Sequence, residues 1–242
     1  MFDALFTTTT EYKKLSHALS GKGACALFGL PASGRAQVYA ALCRQLDKPL
    51  CIVTPGEAEA TRFAADLNTL GIPAAVFPAR DYVLRPIEGT AREYEYRRLA
   101  VLGELVGGRL RAVAVPAEAL TQFTTPKEDF CANTRTLHAG DTLLRDDLLA
   151  ALFGAGYTRR AQVDGPGQFS VRGDIVDIFA PDQKMPVRME FWGDEIDTLH
   201  TFDLTTQRRE DAIDKFYLSP AREVLFGKPA DAAEQLRAFL AK

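Results

Sequence analysis

Gly29–Ala36, GLPASGRA, has the spacing of the phosphate-binding loop GxxxxGK[ST] and stands where such a loop belongs, between an apolar run and a helix-period stretch. Its chemistry would be to cradle nucleotide phosphates on backbone N–H groups, with a lysine on the terminal phosphates and a hydroxyl on magnesium. Here Arg35 takes the lysine position, and a planar guanidinium fork is bulkier and differently shaped than a compact ammonium. Ala36 replaces the magnesium-ligating hydroxyl, and Pro31 removes one N–H from the cradle. The spacing of a nucleotide site is kept without its reactive groups, which leaves a turn retained for helix–strand packing as the simpler reading.

A second concentration of chemistry runs from Gln168 to Arg208, QFSVRGDIVDIFAPDQKMPVRMEFWGDEIDTLHTFDLTTQR. Its β-branched and aromatic content predicts three consecutive strands, the first carrying Val171 and Ile175–Phe179, then Val187–Trp192 and Ile196–Phe202, joined as a meander. Strict alternation along the chain sets Ile175 with Asp177 and Phe179 on one face, and Arg172 with Asp174 and Val176 on the other. By the same rule Arg188 lies with Glu190 and Trp192. A face mixing Arg, acid and aromatic side chains suits contact with another macromolecule. It equally suits a solvated face with cross-strand charge pairs.

No other constellation emerges. GxSxG and HExxH are absent, and Cys25, Cys43, Cys51 and Cys131 form no CxxC and have no His at metal spacing. Acidic neighbours such as Asp146-Asp147 and Asp194-Glu195 are expected by chance among 32 acidic residues. Arg80, Arg85, Arg92, Arg97 and Arg98 interleave with Tyr82, Tyr94 and Tyr96, a pattern seen in nucleic-acid contacts. Asp81, Glu88, Glu93 and Glu95 share that stretch, with Glu93 and Arg97 spaced for an i,i+4 pair, so a solvated helix face is the plainer account.

The elements that must position these groups follow from periodicity. Thr10–Leu19 reads as an amphipathic helix, and ACALFGL (24–30) as a strand leading into the loop. Ser33 is placed to cap a helix to Leu46. The strand LCIVT, the helix Glu57–Leu70, the strand AAVFP, the helix Glu93–Val106 and the strand RAVAV complete a β-α alternation. Near-uniform apolar strands predict a parallel sheet covered on both faces, a degenerate P-loop NTPase-like domain over residues 1–125. Pro126 marks the boundary to an α+β domain over 126–212, which opens with a helix at Arg145–Phe153. Residues 213–242, a strand KFYLSP and a helix Asp231–Leu240, cannot make a core alone and are expected to return to the first domain. The middle domain is then an insertion.

A net charge of −3 argues against a dedicated nucleic-acid binder, and no run approaches membrane-spanning length, so a cytosolic protein with reduced thiols is expected.

The runs GQFSVRGDIVDIFAP and PVRMEFWGDEIDTLHTFDLTTQR closely resemble domain 2 shared by bacterial transcription-repair coupling factors (Mfd) and the excision-nuclease subunit UvrB. In that family domain 1a is interrupted by domain 2 and completed by 1b, and the likeness extends over essentially the whole chain. UvrB keeps an intact GKT loop and a long Tyr-rich hairpin. The GRA loop and the short Arg80–Tyr96 stretch match instead the coupling factor's N-terminal UvrB-like module, with only the start of 1b before residue 242. The resemblance implies a non-catalytic, monomeric interaction module that binds UvrA and takes no cofactor of its own. ATP, magnesium, DNA translocation and RNA polymerase binding belong to later domains of such proteins, one of which masks the UvrA-binding face. Carried over, the contacts fall on Arg172, Arg188 and Trp192, the last where the family often has Phe. Asp174 and Glu190 could orient the arginines, Trp192 would pack between them, and Arg159 and Arg160 are rim candidates. Two alternatives stay open: a UvrB-like nucleotide-dependent enzyme with a divergent loop, and a purely autoinhibitory docking piece.

Overall fold

The computed structural model describes residues 7–21, 24–46, 48–80, 91–223 and 237. Its chain divides into two compact units, Met1–Arg80 with Gly107–Gln122, and Asp81–Val106 with Phe123–Lys242. The result is mixed α/β, with one parallel sheet, one largely antiparallel six-stranded sheet and one two-stranded antiparallel sheet among the described residues.

In the first unit, helices α1 (Thr10–Ser20), α2 (Ala32–Gln45) and α3 (Glu57–Thr69) accompany strands β1 (Leu50–Thr54), β2 (Ala74–Val76) and β3 (Ala112–Pro116). The strands are parallel in the order β1-β3-β2. Helix α3 buries Ala60, Phe63, Ala64 and Leu67, the i, i+3, i+4, i+7 stripe legible in the sequence, in one cluster with Ile52, Ala112 and Ala114. The central strand β3 is buried at every position, Val113 and Val115 included, whereas on that same face of the edge strand β1 Cys51 and Val53 are exposed.

The phosphate-loop spacing takes a different form from the expected strand-loop-helix. Ala24–Leu30 is not a strand, and Leu27 and Phe28 are exposed. Gly29 bends the chain with φ 80°, and α2 begins at Ala32 with Pro31 as its N-cap. Ser33, expected to cap, lies inside the helix, as do Gly34, Arg35 and Ala36. The Arg35 amide is already spent on Pro31 O at 3.0 Å, and Ala36 is buried. The Arg35 guanidinium lies 3.7 Å from a Glu59 carboxylate oxygen and 5.7 Å from the Phe63 ring centre, so it serves α2–α3 packing.

The second unit holds α4 (Ala91–Val106), α5 (Lys127–Ala132), β4 (Arg135–His138), α6 (Arg145–Gly154) and seven further strands. These are β5 (Thr158–Arg159), β6 (Gln168–Arg172), β7 (Ile175–Phe179), β8 (Val187–Trp192), β9 (Glu195–Phe202), β10 (Arg209–Ala212) and β11 (Lys215–Leu218). Six of them form a sheet in the order β10-β9-β8-β7-β6-β5, antiparallel except for the β5–β6 pair. The sheet's inner face, with Phe169, Val176, Ile178, Val187, Met189, Phe191 and Leu199, packs in one cluster with Leu148 and Leu152 of α6. Strand β11 pairs with β4 in this unit, which corrects the expected return of KFYLSP to the first domain.

Helix α4 also groups with the second unit. Arg98, read from sequence as part of a solvated face, is fully buried against a fully buried Glu223. Its Nε lies 3.0 and 2.8 Å from the two carboxylate oxygens, and Nη2 2.8 Å from Oε1. Glu95 accepts the Glu223 amide at 2.8 Å. Asp81, Tyr82, Arg85 and Glu88, and all of the helix expected at Asp231–Leu240 except residue 237, lie outside the described residues. Among the described residues no helix is long and apolar enough to cross a membrane.

Candidate protein-interaction surface

The segment expected as one strand from Val171 to Phe179 is two strands, and the turn between them decides which side chains meet. Gly173, with φ 61°, is the first residue of a two-residue Gly-Asp turn that sets Arg172 directly opposite Ile175. Gly193-Asp194 repeats the device between β8 and β9, with φ 63° at Gly193 and Trp192 opposite Glu195. Residues paired across antiparallel strands share a face. Arg172 therefore stands on the face of Ile175 and Asp177, and the alternation assumed through the turn is corrected. The outer face carries the rung Arg172–Ile175–Glu190–Thr198 and, below it, Ser170–Asp177–Arg188–His200.

Asp177 organises this face. Its carboxylate, with the side chain 1% exposed, accepts Arg172 Nη2 at 2.7 Å, Arg188 Nε at 2.7 Å and Arg188 Nη2 at 2.9 Å. A buried anion flanked by two guanidinium groups is compensated by three charge-assisted bonds. The bond to Asp177 raises the Arg188 pKa above its ordinary value, against the opposing effect of burial. The two arginines differ in what they leave free. Arg188 is 10% exposed and Arg172 is 48% exposed.

Arg188 is further enclosed by a small apolar cluster on the outer face, Val163, Phe179 and Phe202 with Leu204 against it. Its guanidinium carbon lies 4.7 Å from the Phe202 ring centre, and Nη1 donates to Gln207 O at 3.2 Å. Cation–π contact and the carbonyl occupy the side of the fork that Asp177 leaves open.

The acids expected to orient the arginines have other partners. Asp174 receives Arg145 Nη1 at 3.1 Å, and Glu190 pairs with Arg209. Trp192 does not pack between the arginines: it is 83% exposed at the far end of β8, beyond Glu190. The structure thus joins Arg172 and Arg188 through Asp177 and leaves Trp192 as a separate apolar projection. Arg159 and Arg160 are exposed beside β6, where the Arg160 amide donates to Phe169 O at 2.8 Å. Asp177, Phe202 and Gln207 were missed. An acid at the centre of the apolar strand IVDIF, beside two strands each carrying one Arg, was the signal for the first. Among the described residues no group of three or more His, Cys, Asp or Glu could hold a metal ion.

The meander packs its main core on one face and stands a tethered arginine pair and an open tryptophan on the other. The family described as "UvrB interaction domain" matches residues 136–224, nearly all of β4 to β11. Over most of its length the chain is similar to transcription-repair-coupling factors and to UvrB. It is 37% identical over 219 residues to that factor from Mycobacterium tuberculosis, covering 86% of this chain and 18% of that protein. To the Myxococcus xanthus factor it is 35% identical over 208 residues, 81% of this chain and 17% of the relative. UvrABC system protein B of Chlorobium limicola is 28% identical over 226 residues, 87% of this chain and 32% of that protein. The chain therefore spans less than a fifth of the coupling factors it matches.

Proposed function

We propose that this chain is a non-catalytic recruiting module of a transcription-repair coupling factor, which docks UvrA on the outer face of the β5–β10 sheet in nucleotide excision repair. The observation that carries the reading is the half-exposed Arg172, held by buried Asp177 on the same outer face that carries the open Trp192, within the matched domain. Arg172 offers a fork to an acidic group of the partner, and Trp192 offers a large apolar anchor. Arg188 acts from below, as the guanidinium that fixes Asp177.

The first unit is a degenerate P-loop-like body in this reading, with Arg35 committed to Glu59 and Phe63 and no ATP chemistry of its own. Contacts with RNA polymerase and DNA, and masking of the docking face, belong to other parts of the full protein, where ATP and magnesium drive translocation. Pull-down of UvrA by Arg172→Ala, alongside a thermal melt, tests the docking face. Binding weaker by roughly 2 kcal/mol or more, about thirtyfold, with an unchanged melt is expected. Unchanged binding removes the assignment.

A further inference from the structure

We propose that Gln207 is the positioning residue of the partner-facing arginine, acting through Arg188 and Asp177; the inference rests on the reading of this face as the UvrA-docking surface. Among the described residues Gln207 is the one non-glycine with positive φ, at 59°. A residue bearing a Cβ enters that region only when its surroundings over-determine it. They do so here. The Gln207 amide donates to Asp203 O at 2.8 Å, and its side-chain Nε2 donates to Leu204 O at 2.8 Å and Val163 O at 3.4 Å. The Asp203 amide closes the turn on Arg208 O at 3.0 Å, while its carboxylate accepts the Thr206 amide at 2.7 Å and Thr206 Oγ1 at 2.9 Å.

The left-handed backbone turns the Gln207 carbonyl onto Arg188 Nη1. A continuous line of polar contacts then runs from a surface turn to the exposed group: Gln207 O to Arg188, Arg188 to both oxygens of Asp177, and Asp177 to Arg172 Nη2. Without the carbonyl, the Arg188 fork has only the Phe202 ring on that side. It is then free to rotate off Asp177, and Asp177 no longer fixes Arg172. The acceptor is backbone, so the demand falls on φ and not on the glutamine amide.

Substitutions separate these two demands. Gln207→Gly keeps both the carbonyl and the left-handed region, whereas the β-branched Gln207→Val disfavours it. UvrA affinity is measured for each, with Arg172 present and in an Arg172→Ala background, together with thermal melts. Gln207→Val is expected to weaken binding about tenfold and Gln207→Gly by less than about threefold. The valine effect is expected to vanish when Arg172 is absent, because the route ends there. Wild-type affinity in the valine variant, or a loss that persists undiminished without Arg172, overturns the proposal. Arginine side-chain 1H–15N spectra of the free protein read the same line without a partner. Gln207→Val should release the protected Arg188 Nε–H signal, and an unchanged signal also overturns it. An Arg172→Ala variant that binds normally while that signal is lost would remove the docking reading and keep the positioning role. Gln207→Ala, also disfavoured at positive φ, takes the place of valine if that variant does not fold.

Discussion

Asp177→Ala removes the one acid that two guanidinium groups share. Arg172 is half exposed and can hydrate, so its share of the cost is small, about 0–1 kcal/mol. Arg188 is 10% exposed and loses both its Nε and Nη2 acceptors. Leaving one partner of a buried pair uncompensated costs about 3–5 kcal/mol. The Gln207 carbonyl and the Phe202 ring remain to Arg188 and place the expected loss near the lower end, about 3 kcal/mol. In a unit of this size that is a fall in Tm of roughly 6–12 °C. Urea denaturation of the wild type, Asp177→Ala, Arg188→Met and the double variant Asp177→Ala/Arg188→Met measures it. The double variant is expected to recover part of the loss, because no buried charge is left unpaired. Asp177→Ala within about 0.5 kcal/mol of the wild type, or a double variant as unstable as the summed singles, refutes the shared-acid account.

Trp192→Ala should leave stability within about 0.5 kcal/mol of the wild type, since the side chain is exposed, while weakening UvrA capture; denaturation and binding together check it. Arg98→Ala should destabilise the second unit by about 3–5 kcal/mol by stranding buried Glu223, and Arg98→Met/Glu223→Leu should restore part of it, as read by thermal melts. Burial holds the Tyr157 pKa well above the ordinary tyrosine value, and its hydroxyl donates to Ser219 O at 2.7 Å. The unfolded chain ionises first, so this stabilisation is complete below about pH 10 and falls as the pH rises past it. Tyr157→Phe should cost about 1 kcal/mol at neutral pH and flatten that alkaline decline.

Much of the element pattern was legible because apolar spacing reports one-sided burial directly. The stripe Ala60, Phe63, Ala64, Leu67 gave α3, and the runs LCIVT and RAVAV gave parallel strands. Arg172, Arg188 and Trp192 were reachable from residue type and likeness, but their arrangement was not. Two Gly-Asp turns reset the side-chain alternation, and a two-residue turn is invisible to a strict period of two. Asp177 was assigned to the wrong company for that reason, and Asp174 and Glu190 were paired with arginines that Asp177 holds. Gln207 acts through its backbone, which side-chain chemistry does not reveal. Arg98 meets Glu223 across 125 residues of sequence, beyond any local periodicity. Ala24–Leu30 has strand composition, but a strand needs a ladder partner, and composition does not supply one.

The chain contains a single tryptophan, so a fluorine label at Trp192 reports on the docking face alone. The decisive measurement is the 19F spectrum of the chain carrying 5-fluorotryptophan, titrated with UvrA, for the wild type and Arg172→Ala. A shifted resonance that loses its sensitivity to solvent in the wild type, and an unperturbed one in the variant at the same concentration, is the expected result. A resonance that stays solvent-exposed while UvrA is bound would contradict the placement of the partner on this face.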